Sequence, residues 1–121
     1  MRTIKFRCWD KDKKEFKESL DSLFELQKMN LYKFEYDNLI FLQYTGLKDI
    51  HNKEVYEGDI MTYGISMSPE YELIIYDRNT CSFKRKTPEG TLVDIRENTL
   101  NKLRVVGNIF DDTELWENRN E

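Results

Sequence analysis

Hydrophobic and polar residues alternate along much of this 121-residue chain. Near the N-terminus, Ile4, Phe6 and Cys8 alternate with Lys5 and Arg7, which is the two-residue period of a half-buried strand. Similar apolar segments recur towards the C-terminus, and turn-forming residues separate them. The pattern therefore predicts a protein built mainly from short β-strands.

Residues 71–76, 81–86 and 91–95 predict a meander of strands joined by turns. The predicted strands are residues 31–36, 39–44, 71–76, 81–86, 91–95 and 103–110. Residues 10–15 carry charges of both signs and predict a solvated turn. Asp111, Asp112 and Thr113 can accept hydrogen bonds from a helix start, so a short helical turn is predicted after them.

Residues 16–38 are the one long stretch that does not follow a single period. Leu20, Leu23 and Phe24 fit one face of a helix, and Ser19 can cap its start. A short helix or an irregular segment is therefore predicted near residues 19–29.

The length and composition fit one domain, residues 1–121, without disulfide support. Aromatic residues make up 13% of the chain and charged residues 35%, which indicates a folded domain with a well-solvated surface. The expected fold is mainly β: a compact bent β-sandwich or an SH3-like barrel with one or two short helices.

The stretch LQYTGLKDIHNKEVYEGDI, residues 42–60, is dense in turn signals. Gly46 is expected to end a strand with a positive φ, and Asn52 to hold the left-handed position of a tight turn at residues 48–53. Gly58 and Asp59 predict a second turn, in which the aspartate bonds nearby backbone amides. We therefore interpret this stretch mainly as the turns that connect the strands of a small β fold.

Composition argues against several classes of function: broad phosphate binding, membrane attachment and zinc binding. The net charge of −4 and the pI of about 5.2 argue against broad phosphate binding, which needs a basic face. No run reaches the ~18 apolar residues of a membrane span, and the N-terminus does not resemble a signal peptide, so a cytoplasmic protein without membrane attachment is expected. Cys8, Cys81 and the single histidine His51 do not make a zinc site, and both cysteines are expected to be reduced core residues. No cofactor is expected.

Three functions remain open from the residues. A protein-binding module is favoured, with Trp9, Tyr44, Tyr56 and Trp116 as candidate interaction residues. The alternative is a small β-barrel that binds single-stranded nucleic acid along a strip formed by Arg78, Phe83, Lys84, Arg85 and Lys86.

The third function is a metal-dependent hydrolase that uses turn carboxylates, namely Asp49, Glu54, Glu57 and Asp59. Acids in turns are usually solvated, however, and neither a nucleophile–histidine pair nor a phosphate-binding loop accompanies these four. A protein without enzymatic activity is therefore expected.

Three motifs give the chain a resemblance to a known family. They are residues 43–49 with 53–60, residues 4–7 with 9–10, and residues 106–110 with 114–115. In this order they resemble the YopX family of phage and prophage proteins, although His51-Asn52 stands where the family usually has Asn-Gly. Asparagine can hold that turn, so the fold is expected to be kept.

The resemblance implies a β-rich, single-domain, self-associating product of a phage accessory gene, for which no reaction, cofactor or catalytic residue is established. It places the protein in the cytoplasm of an infected or lysogenic bacterium, with a host or phage protein as partner. Strand edges favour the same self-association, because unpaired edge groups can pair with a second copy. Residues 3–9 and 103–110 are the predicted contact strands of a dimer or larger closed oligomer.

Overall fold

The computed structural model describes residues 3–20, 39–63 and 70–118, with side chains omitted for residues 17–20. These residues form nine strands and two short helices. The strands are β1 (Phe6–Asp10), β2 (Glu15–Leu20), β3 (Leu39–Lys48), β4 (Glu54–Tyr56), β5 (Asp59–Tyr63), β6 (Glu72–Asp77), β7 (Ser82–Lys86), β8 (Leu92–Asp94) and β9 (Leu103–Asn108). The helices are α1 (Glu97–Leu100) and α2 (Thr113–Glu117). The mainly β fold with two short helices is confirmed, and its antiparallel sheets curl into a half-barrel.

The first sheet has the strand order β2-β1-β3-β4. The solvated turn predicted for residues 10–15 is confirmed for residues 11–14, which are exposed. Asp10 is instead a buried residue at the end of β1, and its carboxylate accepts the backbone N–H groups of Asp12 and Lys13 at 3.0 Å each. The helix predicted near 19–29 is wrong at its start, because Leu20 lies in β2 and pairs with Phe6. Pairing across the sheet overrides the local helical pattern here. Residues 21–29 and the predicted strand 31–36 lie outside the described residues.

The second sheet has the order β8-β7-β6-β5-β9, and the strands predicted for residues 71–110 are confirmed within one to two residues at most ends. Neighbouring residues of β6 face opposite sides, so this sheet packs on both faces. Ile74 joins one buried cluster with Leu100 of α1, and Leu73 joins another with Trp116 of α2. Helix α1 was not predicted, because its four residues are too short for a visible period.

A two-residue segment, Glu57 and Gly58, carries the chain from the first sheet to the second, and we call it the crossing turn. Its backbone bonds to both sheets: the N–H of Glu57 donates to the carbonyl of Gln43 at 3.0 Å, and that of Gly58 to the carbonyl of Ile74 at 2.7 Å. The carbonyl of Gly58 accepts the N–H of Ile109 at 2.8 Å. The sheets are therefore joined through main-chain bonds as well as through side chains.

The left-handed positions predicted for Gly46 and Asn52 are confirmed, and Gly58 in the second predicted turn has the same conformation. Gly46, Asn52 and Gly58 have φ values of 89°, 64° and 88°. Gly46 does not end its strand, however. It lies inside β3, where the register with β4 shifts between Tyr44 and Lys48, so it forms an irregularity of the kind that bends a strand and lets it continue.

Both strands predicted to mediate self-association are already occupied along their edges. β1 lies between β2 and β3, so the prediction is wrong for the N-terminal strand. β9 is the last strand of the second sheet, but Ile50 and Asp49 bond to its outer edge at Leu103 and Val105. The period-two pattern identified these strands without giving their neighbours. None of the helices in the described ranges is long and apolar enough to cross a membrane.

Candidate functional site

An ion pair between Arg7 of β1 and Asp59 of β5 links the two sheets. The side chain of Asp59 is 1% exposed, and its second oxygen accepts the backbone N–H of Tyr56 at 2.8 Å. The guanidinium of Arg7 lies 4.4 Å from the ring centroid of Phe16 and 4.7 Å from that of Tyr56. Two aromatic rings and one carboxylate therefore surround this cation in the joint between the sheets.

The electrostatics of this joint are those of buried, paired groups. Burial raises the pKa of Asp59, although the charge of Arg7 and the N–H of Tyr56 oppose that rise. Burial also raises the pKa of Glu57, whose carboxylate accepts the N–H of Gln43 at 2.9 Å. Perturbed carboxyl groups often mark active sites, but both of these groups bond to the protein itself. The joint is therefore built to hold the sheets together.

Asp49 anchors the turn between β3 and β4. One of its carboxylate oxygens accepts the N–H groups of His51 and Lys53 at 2.8 and 2.9 Å, and the other accepts the N–H of Val105 in β9 at 2.9 Å. Burial by itself would raise the pKa of Asp49, but these backbone donors and the nearby His51 lower it below its ordinary value. The side chain is a charged acceptor for three backbone amides.

The prediction that the acids of residues 42–60 are solvated is wrong. Asp49 and Asp59 are buried, and Glu54 and Glu57 are half-buried. Glu54 pairs with Lys5 of β1 at 2.7 Å. The physical reason is that carboxylates in this stretch bond backbone amides and cations of distant strands, which the local turn pattern does not reveal. Each of the four carboxylates therefore has at least one oxygen bonded to another group of the protein. Within the described ranges, no three His, Cys, Asp or Glu side chains could hold a metal ion.

The four candidate interaction residues are core residues, so this prediction is wrong. Trp9, Tyr44, Tyr56 and Trp116 are all buried. Trp9 stacks on Phe110 with ring centroids 5.6 Å apart, and Tyr44 lies 5.5 Å from Tyr56. Large rings supply much of the buried area of a small domain, and that requirement places them inside.

The predicted nucleic-acid strip is divided between two faces of the second sheet. Lys84 pairs with Asp94, while Arg85 is buried and pairs with Glu72 at 2.7 Å. Successive strand residues point to opposite faces, so Lys84 and Lys86 do not share a surface with Arg85. The strip is therefore wrong as a continuous surface, and the alternation of β7 could have shown this from the sequence.

One exposed aromatic group lies at the end of the β6–β7 hairpin, and its main member, Tyr76, was not among the predicted site residues. Tyr76 is 45% exposed and lies against Phe83, with ring centroids 5.4 Å apart. Arg78, in the adjoining turn, is also exposed. We call Tyr76, Arg78 and Phe83 the hairpin-end surface. Its sequence signal was the position of Tyr76 two residues before a four-residue turn, on the same face as Phe83.

The two cysteines differ in their surroundings. Cys8 is buried, as predicted, and Cys81 is exposed, so the prediction of a core residue is wrong for Cys81. Cys81 adopts a φ of 52° in the turn between β6 and β7, and its position in the turn leaves the side chain outside the packed sheet.

Comparison with known proteins supports the fold and the family. The family model described as YopX protein matches residues 5–117. No curated protein matches the chain. The crystal structure of protein EF1440 from Enterococcus faecalis is similar, with a TM-score of 0.68 and 21% identity over 96% of this chain and 99% of that one. At this level of identity the similarity shows a shared fold.

Proposed function

The chain belongs to the YopX family, and from that premise we propose that it is a non-enzymatic protein-binding module, an adaptor or inhibitor of a host or phage protein. The observation that supports this proposal is the exposed hairpin-end surface. Tyrosine and arginine are over-represented among the residues that dominate protein–protein binding energies. An exposed ring that packs on a second ring, with an exposed arginine in the adjoining turn, is a suitable anchor for a partner protein.

The hairpin-end surface is held in place before any partner binds. The carboxylate of Asp77 accepts the N–H of Asn79 at 3.0 Å and the hydroxyl of Thr80 at 2.8 Å, which orders the turn that carries Arg78. Tyr76 and Phe83 are opposite each other in the ladder of β6 and β7. Ordering a surface in advance lowers the entropic cost of association.

Single-stranded nucleic acid remains the alternative ligand, with weaker support. Lys84 and Arg85 have carboxylate partners, and the whole chain carries a net charge of −4. A nucleic-acid surface needs cations that are available to phosphates along a continuous path. Arg78 and Lys86 alone give little of such a path.

We also propose that the protein self-associates and acts in the cytoplasm of a phage-infected or lysogenic bacterium, as the family resemblance implied. β8 offers a strand edge for self-association. It ends the second sheet on the side away from β9, and within the described ranges it pairs only with β7. Its Leu92 is 42% exposed, so an added strand would cover apolar surface as well as backbone groups.

Affinity capture from host lysate tests the protein-binding proposal with a matched pair of variants. The bait proteins are the wild type, Tyr76→Ser and Tyr63→Ser, because Tyr63 is 46% exposed and lies outside the hairpin-end surface. We expect one stoichiometric protein to be retained by the wild type and by Tyr63→Ser and to be lost with Tyr76→Ser. Equal retention by both variants would remove the hairpin-end surface as the binding site. Recovery that nuclease treatment abolishes would favour nucleic acid instead.

A further inference from the structure

The outer edge of β9 is bonded by a turn from the other sheet. The N–H of Val105 donates to the carboxylate of Asp49 at 2.9 Å, and the N–H of Ile50 donates to the carbonyl of Leu103 at 2.9 Å. These are the positions at which a neighbouring strand would donate to and accept from β9. The turn of residues 48–53, which we call the edge cover, therefore takes the place of a sixth strand.

A second carboxylate bonds to the far end of the same strand. Asp112 accepts the N–H of Asn108 at 3.1 Å, and its own N–H donates to the carbonyl of Asn108 at 2.8 Å. The part of the edge that depends on the edge cover is thus the segment from Leu103 to Val105. This segment precedes Val106 in a strand with the sequence LRVVGN, and β-branched residues favour pairing with another strand.

The edge cover is itself a rigid element. Asp49 bonds the N–H groups of His51 and Lys53, and the N–H of Asp49 donates to the carbonyl of Lys53 at 2.9 Å. Asn52 closes the turn with a φ of 64°. One carboxylate therefore orders the turn with one oxygen and binds the strand edge with the other. Loss of this side chain would both loosen the cover and expose an unpaired N–H at Val105.

We propose that the edge cover is an autoinhibitory contact that prevents β9 of a second copy from adding to β9. Uncovered strand edges are templates for edge-to-edge pairing, and proteins block them with charges and covering loops. A second copy is the occupant because β9 can pair antiparallel with itself. With Val105 opposite its counterpart, Arg104 faces Val106 of the other copy, so like charges are not placed opposite each other. This inference is independent of the hairpin-end surface.

Light scattering coupled to size exclusion, over a wide range of protein concentration, tests the proposal with Asp49→Ala and the double variant Asp49→Ala/Val105→Pro. We expect Asp49→Ala to form assemblies larger than the wild type at the same concentration. Proline at position 105 has no N–H for an incoming strand, and the lost N–H faces away from β5. The double variant should therefore return to the mass distribution of the wild type.

Two outcomes would overturn the proposal: an Asp49→Ala protein with the wild-type mass distribution, or a double variant that assembles as much as Asp49→Ala. Ile74→Val, which shortens a fully buried core side chain, controls for assembly caused by lower stability alone, and we expect it to behave as the wild type.

If Asp49→Ala does not fold, Asp49→Asn serves in its place. The amide keeps one acceptor oxygen for the turn and loses the other, so it should give smaller assemblies that Val105→Pro again removes.

Discussion

The pair Arg7–Asp59 lies in the joint between the sheets with its acid 1% exposed, whereas the pair Lys84–Asp94 lies on the second sheet with its acid 64% exposed. Both are ion pairs between strands. Burial makes the first pair costly to break, because either partner left alone is a buried charge. Water solvates the exposed acid of the second pair whether or not the lysine is present. The same kind of interaction, a cation paired with an aspartate on another strand, therefore holds the fold together in one region and matters little to it in the other.

Replacing the buried acid of the first pair, Asp59, is expected to have the largest effect on stability. Asp59→Asn leaves the guanidinium of Arg7 without its counter-charge, and we expect the free energy of unfolding in urea to fall by about 3–5 kcal/mol. The double variant Arg7→Met/Asp59→Asn removes both charges and keeps an acceptor for the N–H of Tyr56, so it should be more stable than Asp59→Asn alone. A loss below about 1 kcal/mol for Asp59→Asn would show that water solvates the Arg7–Asp59 pair and that the two ion pairs contribute similarly little to stability.

The glycines of the same two regions give the next largest effect. Gly58 in the crossing turn has a φ of +88°, and an added Cβ would lie 3.2 Å from the ring of Phe110. Gly90 in the turn between β7 and β8 has a φ of +93°, and an added Cβ would meet nothing within 4 Å. We expect Gly58→Ala to cost about 2 kcal/mol and Gly90→Ala about 1 kcal/mol, since only the first adds crowding to backbone strain. Equal losses in thermal unfolding would contradict the assigned packing around the crossing turn.

The pH dependence of stability tests whether Asp49, like Asp59, is a buried acid whose bonds stabilise the fold. Because the N–H groups of His51, Lys53 and Val105 bond its charged form, Asp49→Asn should lower the free energy of unfolding by about 1.5 kcal/mol at neutral pH. The folded-state pKa of Asp49 lies below its ordinary value, so the advantage of the wild type is complete above about pH 4. It shrinks as the pH falls through the folded-state pKa. Urea titrations of both proteins between acid and neutral pH measure this difference, and a gap that widens in acid would contradict the sign.

The exposed pair is expected to give the smallest effect. The hydrogen bond and charge of Lys84 lower the pKa of Asp94, but the carboxylate is open to water. We expect Asp94→Asn to unfold at the same urea concentration as the wild type and to show no dependence on salt beyond that of the wild type. A clear destabilisation would mean that this edge of the second sheet is more closed than its exposure indicates.

The sequence pattern identified most strands of the described residues because alternation is local. A strand that buries one face repeats its apolar residues every second position, and Asn52 and Gly58 mark turns because few residues adopt a positive φ. The same reasoning failed at Gly46, where a positive φ lies inside a strand, and at residues 19–20, where pairing with β1 outweighs a helical pattern. The family resemblance could also be read from the sequence, since its motifs are continuous segments.

Most contacts of the candidate sites could not be predicted from the sequence, because they depend on which strands become neighbours in the fold. Arg7 and Asp59 are 52 positions apart, and Asp49 and Val105 are 56 positions apart. Alternation indicates which face of a strand is apolar. It does not indicate that a side chain of β1 pairs with one of β5, or that a turn covers the edge of β9. The four acids of residues 42–60 were therefore assigned to solvent, and four large rings to the surface. Only the tertiary fold brings a carboxylate to an amide half the chain away, because removing both groups from water is favourable only when they meet.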